Sequence, residues 1–522
     1  MSTANVKKSS LVRSAGLVSV LTAVSRVLGL VREQVMAYFF GASMATDAFV
    51  TAFRIPNLLR DLFAEGALSS AFVPVFKNKL TREGDREAFS LANSVLTAIL
   101  LIVGGIVALG MIATPVIIYI SANGFVEFPA KFALTVSLTR LMFVYLLLVS
   151  LSAAVMGMLN SFGRFGIPAL SPALFNLGII ACTLGLYKYF ELPVYAMAIG
   201  VLVGGLAQLA IQLPQLWRLG YRFRLQLSFL DEGMKRVIGL FLPMVVGMSA
   251  GRINIILSTL LASFLMEGAI SYLNYSYRLM HFPLGVFAVA LGTVALPRAS
   301  EVAGKGDFEG LRRTFYETIN LNMLLILPSA CFLGFWGAEI ISLIYQWGEF
   351  SQADTANAAL ALLHYSYGLI GFSAVRVTVP VYYALGDSRL PMKISIGSVL
   401  LNMALYWPMI RVLDFAGLAA ATSIASLVNF GFLLWFLPRK GISISFGRLF
   451  LNFVRIGAAA FLAFYAATFI PFDPGAGQPE VAARVVKLLV GGMAAAILYL
   501  ILCVVFRVGE LSLVREILFK KK

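Results

Sequence analysis

The chain has 522 residues, of which 60% are hydrophobic and 13% charged; its formal net charge is +16 and its mean hydropathy +0.88. A soluble protein carries about 25% charged residues, so this composition excludes a water-soluble globular domain and indicates an all-α polytopic membrane protein. The cations are spread over short loops and helix interiors, with no compact soluble domain to gather them, which excludes a nucleic-acid-binding face.

A membrane span needs about 20 apolar residues. Segments of that kind fall at 11–39, 45–76, 89–120, 132–160, 167–187, 193–216, 235–265, 269–297, 314–345, 355–385, 391–411, 415–437, 449–471 and 482–506, predicting fourteen transmembrane helices. Lys7, Lys8 and Arg13 precede a first span too long for a signal h-region, and no small-residue cleavage site follows it, so the N-terminus is expected to be retained.

The first two spans hold an unusual density of charge. The stretch SRVLGLVREQVMAYFFGASMATDAFVTAFRIPNLLRDLFAEGALSSAFVP, residues 25–74, carries Arg26, Arg32, Glu33, Asp47, Arg54, Arg60, Asp61 and Glu65. An ionised side chain at the centre of a membrane costs roughly 2.5–3.5 kcal/mol on insertion scales, so such residues face a bundle interior or a water-filled cavity and mark a functional pathway. Arg140 lies within the fourth span, and Arg252, Arg278 and Arg376 within later ones. Cations at membrane depth outnumber acids. A wet cavity with that surplus attracts an anion, and the guanidinium fork suits phosphate oxygens. The competing reading is that the arginines pair with Glu33, Asp47, Asp61 and Glu65 or reach the interface. Arg54 and Arg140 suit that reading as well as the functional one, whereas Arg32, Arg60 and Arg278 favour function.

Basic loops follow the second, sixth, eighth and twelfth spans, for example Lys77, Lys79, Arg82 and Arg86, then Arg218, Arg222 and Arg224. The opposite loops hold little more than Lys131, Lys188, Arg411 and Arg484. By the positive-inside rule both termini are expected in the cytoplasm.

An internal repeat is visible. Arg26 and Arg252 stand 226 residues apart, Arg54 and Arg278 224, and Pro74 and Pro297, Gly163 and Gly386, and Pro168 and Pro391 each 223. Residues 1–223 and 224–446 therefore form two copies of a six-span unit. Six is even, so the copies share topology, a parallel repeat of the kind found in transporters with a substrate site between halves. Residues 447–522 add two spans joined by an Asp473-Pro474-Gly475 turn. They end in LSLVREILFKKK, which fits either an interfacial amphipathic helix or a simple topology anchor.

Enzyme signatures are absent. No P-loop is present. His281 and His364 lack metal-ligand company, and Cys182, Cys331 and Cys503 lie far apart in apolar segments. Gly104-Gly105, Gly204-Gly205 and Gly491-Gly492 predict close helix packing.

The motifs SRVLGLVRE, GASMATDAF, RIPNLLRDLFAEGALSSAFVP and YRLMHFPLGVFAVALGTVALP identify the chain as resembling the MurJ (MviN) family of bacterial lipid II flippases, within the MOP exporter superfamily, over essentially its whole length. The resemblance implies two six-helix lobes about a central cationic cavity, with a groove formed by the last two spans for the polyprenyl tail. It also implies a bacterial inner-membrane protein that moves undecaprenyl-pyrophosphate-linked disaccharide pentapeptide outward by alternating access. Membrane lipids would be its surroundings and cell-wall synthesis proteins further candidate partners. The family's important positions fall on Arg26, Arg32, Glu33, Asp47, Arg60 and Arg278; Arg54 joins them as the repeat partner of Arg278. Glu33 stands where aspartate is common, and His281 where a glutamate often follows the arginine. Some members hold sodium through acids of the second lobe. Here the spans from 235 to 437 carry acids only near their ends, such as Glu267, Glu317 and Glu339, and Asn402 has Tyr406 one turn on. No cofactor is expected, and membrane potential or an ion gradient is the expected driver. The alternatives are a drug or ion antiporter of the same superfamily, which would want buried acids, and a non-transporting scaffold for cell-wall synthases, which would have no need of ionised groups at membrane depth.

Overall fold

The structure, a computed structural model, describes residues 3–61, 67–226, 228, 231–470 and 480–509. Two compact units divide the chain, residues 1–270 and 271–522. Among the described residues every regular element is helical, as expected where backbone groups in lipid must be satisfied within their own segment.

The first unit contains α1 (Thr3–Phe40), α2 (Met44–Arg60), α3 (Ala67–Arg82), α4 (Asp85–Ser121), α5 (Pro129–Ser161), α6 (Gly166–Leu186), α7 (Val194–Ala210), the short α8 (Leu213–Arg218) and α9 (Glu232–Ala262). Its core is built from Phe72, Phe76, Leu91, Leu146 and Met158, contributed by α3, α4 and α5, with Met234 and Val237 of α9. The sequence repeat divides at 223/224 whereas packing divides at 270/271, because α9 lies against α3 and α4 of the first unit.

The second unit begins within α10 (Ala269–Pro283). Beyond Pro283 the chain takes one π-helical turn, Leu284–Ala288, before α11 (Val289–Gly304), as a helix does when proline removes an i→i−4 bond. There follow α12 (Phe308–Phe335), α13 (Gly337–Tyr345), α14 (Gln352–Ala384), α15 (Arg389–Leu413), α16 (Ala416–Phe436), α17 (Phe446–Thr468) and α18 (Glu480–Val505). Starts are capped where the sequence allows: the Asp231 and Asp307 side chains accept from Met234 N (3.3 Å) and Gly310 N (2.8 Å), and Ser351 and Asp354 form a reciprocal capping box.

The 223-residue offset recurs in the backbone. α4 and α12 start 223 residues apart, α6 and α15 likewise, and α5 and α14 match at both ends. Each of the latter pair closes with the same turn. Gly163 N and Arg164 N donate to Asn160 O and Leu159 O, both at 2.9 Å, and Gly386 N and Asp387 N donate to Tyr383 O and Tyr382 O, both at 3.0 Å. The glycines sit at φ 74° and 72°, in the left-handed region where glycine meets no Cβ penalty.

Among the described residues eleven helices are long and apolar enough to cross a membrane. The three other predicted spans fall on α1, on α2 with α3, and on α9, each of which includes residues or side chains outside the description. The spans predicted at 193–216 and 314–345 are each interrupted, at Ile211-Gln212 and at Trp336. Large exposed apolar residues such as Leu109, Ile112 and Val412 suit a surface whose solvent is lipid. Of the predicted glycine pairs, Gly204 packs as expected: a Cβ on the facing Gly178 would lie 2.6 Å from its Cα. Gly104 and Gly105 face open space, so their role is not helix contact. Glu65, the 473–475 turn and the LSLVREILFKKK tail lie outside the described residues.

Candidate functional site

Helix α2 carries Asp47 and Arg54, and Asp61 follows at its C-terminal cap, at intervals of seven residues. Seven residues are two turns, or about 10.5 Å, so all three lie on one face. Helix α9 carries Arg252 and Thr259 at the same interval. The helices meet antiparallel within the first unit, and the faces pair rung by rung: Asp61 with Arg252, Arg54 with Thr259, and Asp47 with Gly268 just past the end of α9.

At the first rung Asp61 is shared between two guanidinium groups. Its Oδ1 accepts from Arg60 Nη2 at 3.0 Å and its Oδ2 from Arg252 Nη1 at 2.9 Å. The side chains of Arg60, Asp61 and Arg252 remain 22%, 19% and 30% exposed, so this cluster is partly accessible. At the middle rung Arg54 Nη1 donates to the Thr259 hydroxyl, which in turn donates to Ile255 O (2.7 Å). At the third rung Asp47, 1% exposed, accepts from Lys131 Nζ at 2.8 Å and from Gly268 N at 2.9 Å. The Lys131 ammonium also stands 4.3 Å from the centre of the Phe125 ring. Around this rung Met44 N donates to Glu267 Oε1 (2.7 Å) and Gly124 N to Ser263 Oγ (3.0 Å), tying the segment after α9 to the starts of α2 and of the Asn123–Glu127 turn.

Arg32 is buried. Its Nη2 donates to Glu33 Oε1 at 2.6 Å and its Nη1 to Asn176 Oδ1 at 3.1 Å. Asn176 is itself oriented by donating to Ser25 O and Pro172 O. Arg26, six residues earlier on α1, is exposed. Arg140 is exposed and donates through Nε to Met111 O (3.1 Å). In the second unit Arg278 lies exposed on α10, one turn before His281, whose Nδ1 contacts Tyr277 O at 3.0 Å and whose ring lies tilted against that of Tyr277.

The structure thus gathers Asp47, Arg54 and Arg60 along one helix, sets Arg32 with Glu33 in α1, and leaves Arg26 on the outside of α1. Of the acids expected to pair with arginine, Glu33 takes Arg32 and Asp61 takes two arginines. Asp47 takes a lysine. Lys131, read in the sequence as an outer-loop cation, belongs to α5 and is buried; an apolar run on both sides was the one sign of this. Sequence reasoning also passed over Asn176, Thr259 and the pairing of Arg252, none of which carries a local signal. Across residues 16–61, with Lys131 of α5 and Arg252 of α9, Arg26, Arg32, Arg54, Arg60, Lys131 and Arg252 set six cations against three carboxylates, Glu33, Asp47 and Asp61. No group of three or more His, Cys, Asp or Glu arranged to hold a metal occurs among the described residues.

A sequence model of the family described as "Lipid II flippase MurJ" matches residues 36–487. The Lipid II flippase MurJ of Burkholderia cenocepacia is 34% identical over 461 residues, 87% of this chain and 89% of its own. A solved structure titled "Lipid II flippase MurJ, inward closed conformation" superposes with a TM-score of 0.78 at 25% identity, covering 94% of this chain and 99% of that one. An inward-facing multidrug-resistance MATE transporter of the MOP superfamily gives a TM-score of 0.68 at 14% identity over 80% of this chain and 94% of its own, a likeness of fold alone.

Proposed function

The chain belongs to the MurJ family of lipid II flippases, and from that premise we propose that its surplus arginines bind the diphosphate of lipid II while the lipid is carried from the cytoplasmic to the outer leaflet. The protein is a multi-pass membrane transporter and not an enzyme; lipid II is its substrate and membrane lipids its solvent. The observation that carries the proposal is the excess of six cations over three carboxylates among these described residues of one unit, with Arg60 partly exposed and Arg54 held by a neutral hydroxyl.

A diphosphate brings at least two negative charges into a poorly solvated site. One ammonium point charge does not offset that desolvation, whereas several guanidinium forks do. In this reading Arg26, Arg32, Arg54 and Arg60 supply the positive field of the first unit. Glu33 and Asp47 fix the arrangement and keep the anion from binding too tightly to leave. Arg278 acts as a further substrate-binding residue of the second unit. A cation exporter would need the opposite balance of charge, which favours the anion.

The same proposal has both termini in the cytoplasm, from the alternation of basic loops, and transport by alternating access between the two repeat copies, 1–223 and 224–446. Membrane potential acting on the charged site is the driver. Residues 447–522 serve the polyprenyl tail, since α17 and α18 present apolar surface, including Phe450, Leu451, Phe461 and Val504, and few cations. Cell-wall synthesis proteins are proposed partners that would consume the flipped lipid.

The test is complementation with well-expressed Arg32→Lys, Arg60→Lys and Arg278→Lys, read as lipid II accessibility on the outer leaflet. Lysine keeps the charge and loses the fork, so each is expected to fail almost as badly as alanine. Full rescue by all three lysines overturns the diphosphate assignment.

A further inference from the structure

We propose that Arg252 is a further ligand of the substrate diphosphate, and that Asp61 is a positioning residue which bridges Arg60 and Arg252 when the site is empty and competes with the anion when it is full. The inference rests on the diphosphate reading above and deepens it.

Three observations carry it. First, Asp61 receives one guanidinium on each carboxylate oxygen, Arg60 Nη2 at 3.0 Å and Arg252 Nη1 at 2.9 Å. The carboxylate is divided between two arginines, each reaching it through a terminal nitrogen. Arginine–carboxylate pairs frequently take the bidentate fork-to-fork form with a single arginine instead. Second, the cluster is partly exposed: Arg252 is 30% exposed and Asp61 19%, whereas the Asp47–Lys131 pair two rungs along the same helix is buried. An anion can therefore reach the first and not the second. Third, the two guanidinium groups are held at the spacing that one bridging carboxylate imposes. A phosphoryl group is tetrahedral where a carboxylate is planar, but it offers two oxygens at a similar separation with more charge, so it can take the place of the carboxylate between the two guanidinium groups.

Asp61 then has two effects of opposite sign. It places Arg60 and Arg252, which stand 192 residues apart in sequence, so that the site is formed before the anion arrives. Once the diphosphate is bound, the adjacent carboxylate repels it. Release into the outer leaflet requires such a counterweight, because an anion held by arginines alone would leave slowly.

The experiment measures binding of geranyl diphosphate to the full-length chain in nanodiscs by calorimetry, beside lipid II flipping in reconstituted vesicles. Asp61→Asn keeps the shape and removes the charge. It is expected to lower the Kd for the probe about tenfold, of the order of one charge-assisted contact, while flipping slows. Arg252→Gln is expected to raise the Kd about tenfold. A merely structural cluster predicts that Asp61→Asn binds the probe no better than the parent, and that result overturns the proposal even if flipping is lost. Unchanged binding by Arg252→Gln overturns it equally, and decides the matter should Asp61→Asn fail to fold. If the parent protein itself binds no diphosphate, the broader arginine reading falls with this one; binding by the parent with no response to either variant removes only the roles given to Arg252 and Asp61.

Discussion

Replacing Lys131 with methionine removes the ammonium and keeps most of the side-chain volume. Asp47, 1% exposed, would then keep the Gly268 amide at 2.9 Å but lose the Lys131 contact at 2.8 Å. Breaking a buried pair by removing one partner costs about 3–5 kcal/mol, because a charge is left in a poorly polarisable site. Loss of the ammonium from the Phe125 face adds about 0.5–2 kcal/mol. The position of Asp47 in the first turn of α2 offsets part of this, since the helix N-terminus favours a negative charge by about 0.3–1 kcal/mol and up to about 2 when partly buried. The net expectation is a loss of about 3–5 kcal/mol. The double variant Asp47→Asn, Lys131→Met restores a neutral site. Its new side-chain amide oxygen can still accept from Gly268 N, so the double variant should recover most of that loss. Denaturant or thermal unfolding of the full chain in nanodiscs, run on both single variants and the double, gives the coupling energy directly. A Lys131→Met protein within about 1 kcal/mol of the parent, or strictly additive single variants, would refute the reasoning, because either result means that the two charges do not depend on each other.

Three further outcomes are expected. Lys440 lies 2.7 Å from Asp387 and, with the Leu390 amide, holds its carboxyl below the ordinary aspartate range; the stability this contributes is present above that range and is lost as pH falls through the lowered value, so the parent should exceed Asp387→Asn in stability near neutral pH and converge with it in acid. Reporter fusions after Lys440 and after Gly477 should report cytoplasm and exterior respectively, and the same side for both would break the alternation of spans. Deleting 447–522 should impair flipping of long-chain lipid II more than binding of a short-chain soluble analogue, and equal loss of both in a folded protein would count against a tail-handling role for α17 and α18.

Much of the fold was legible because hydropathy belongs to each residue. A long unbroken apolar run demands lipid whatever lies beside it, so the helices appear close to the predicted segments, and the 223-residue offset seen in Gly163 and Gly386 reappears in the turns those glycines close. The breaks at Ile211-Gln212 and Trp336 were not legible, since the apolar pattern runs on across each. The candidate site divides in the same way. That Asp47, Arg54 and Asp61 share a face follows from their spacing alone. Which cation each acid takes does not, because the choice depends on how neighbouring helices are rotated and how deep each one sits. Lys131 reaches Asp47 from 84 residues away, and Arg252 reaches Asp61 from 191. Glu33 beside Arg32 shows the converse: adjacent residues on a helix do not normally face each other, yet the two meet at 2.6 Å, and Arg32 also donates to the Asn176 side chain of α6. Composition decides that these charges must be paired or wetted; packing decides which are which, and so leaves Asp47 sealed and Asp61 partly exposed.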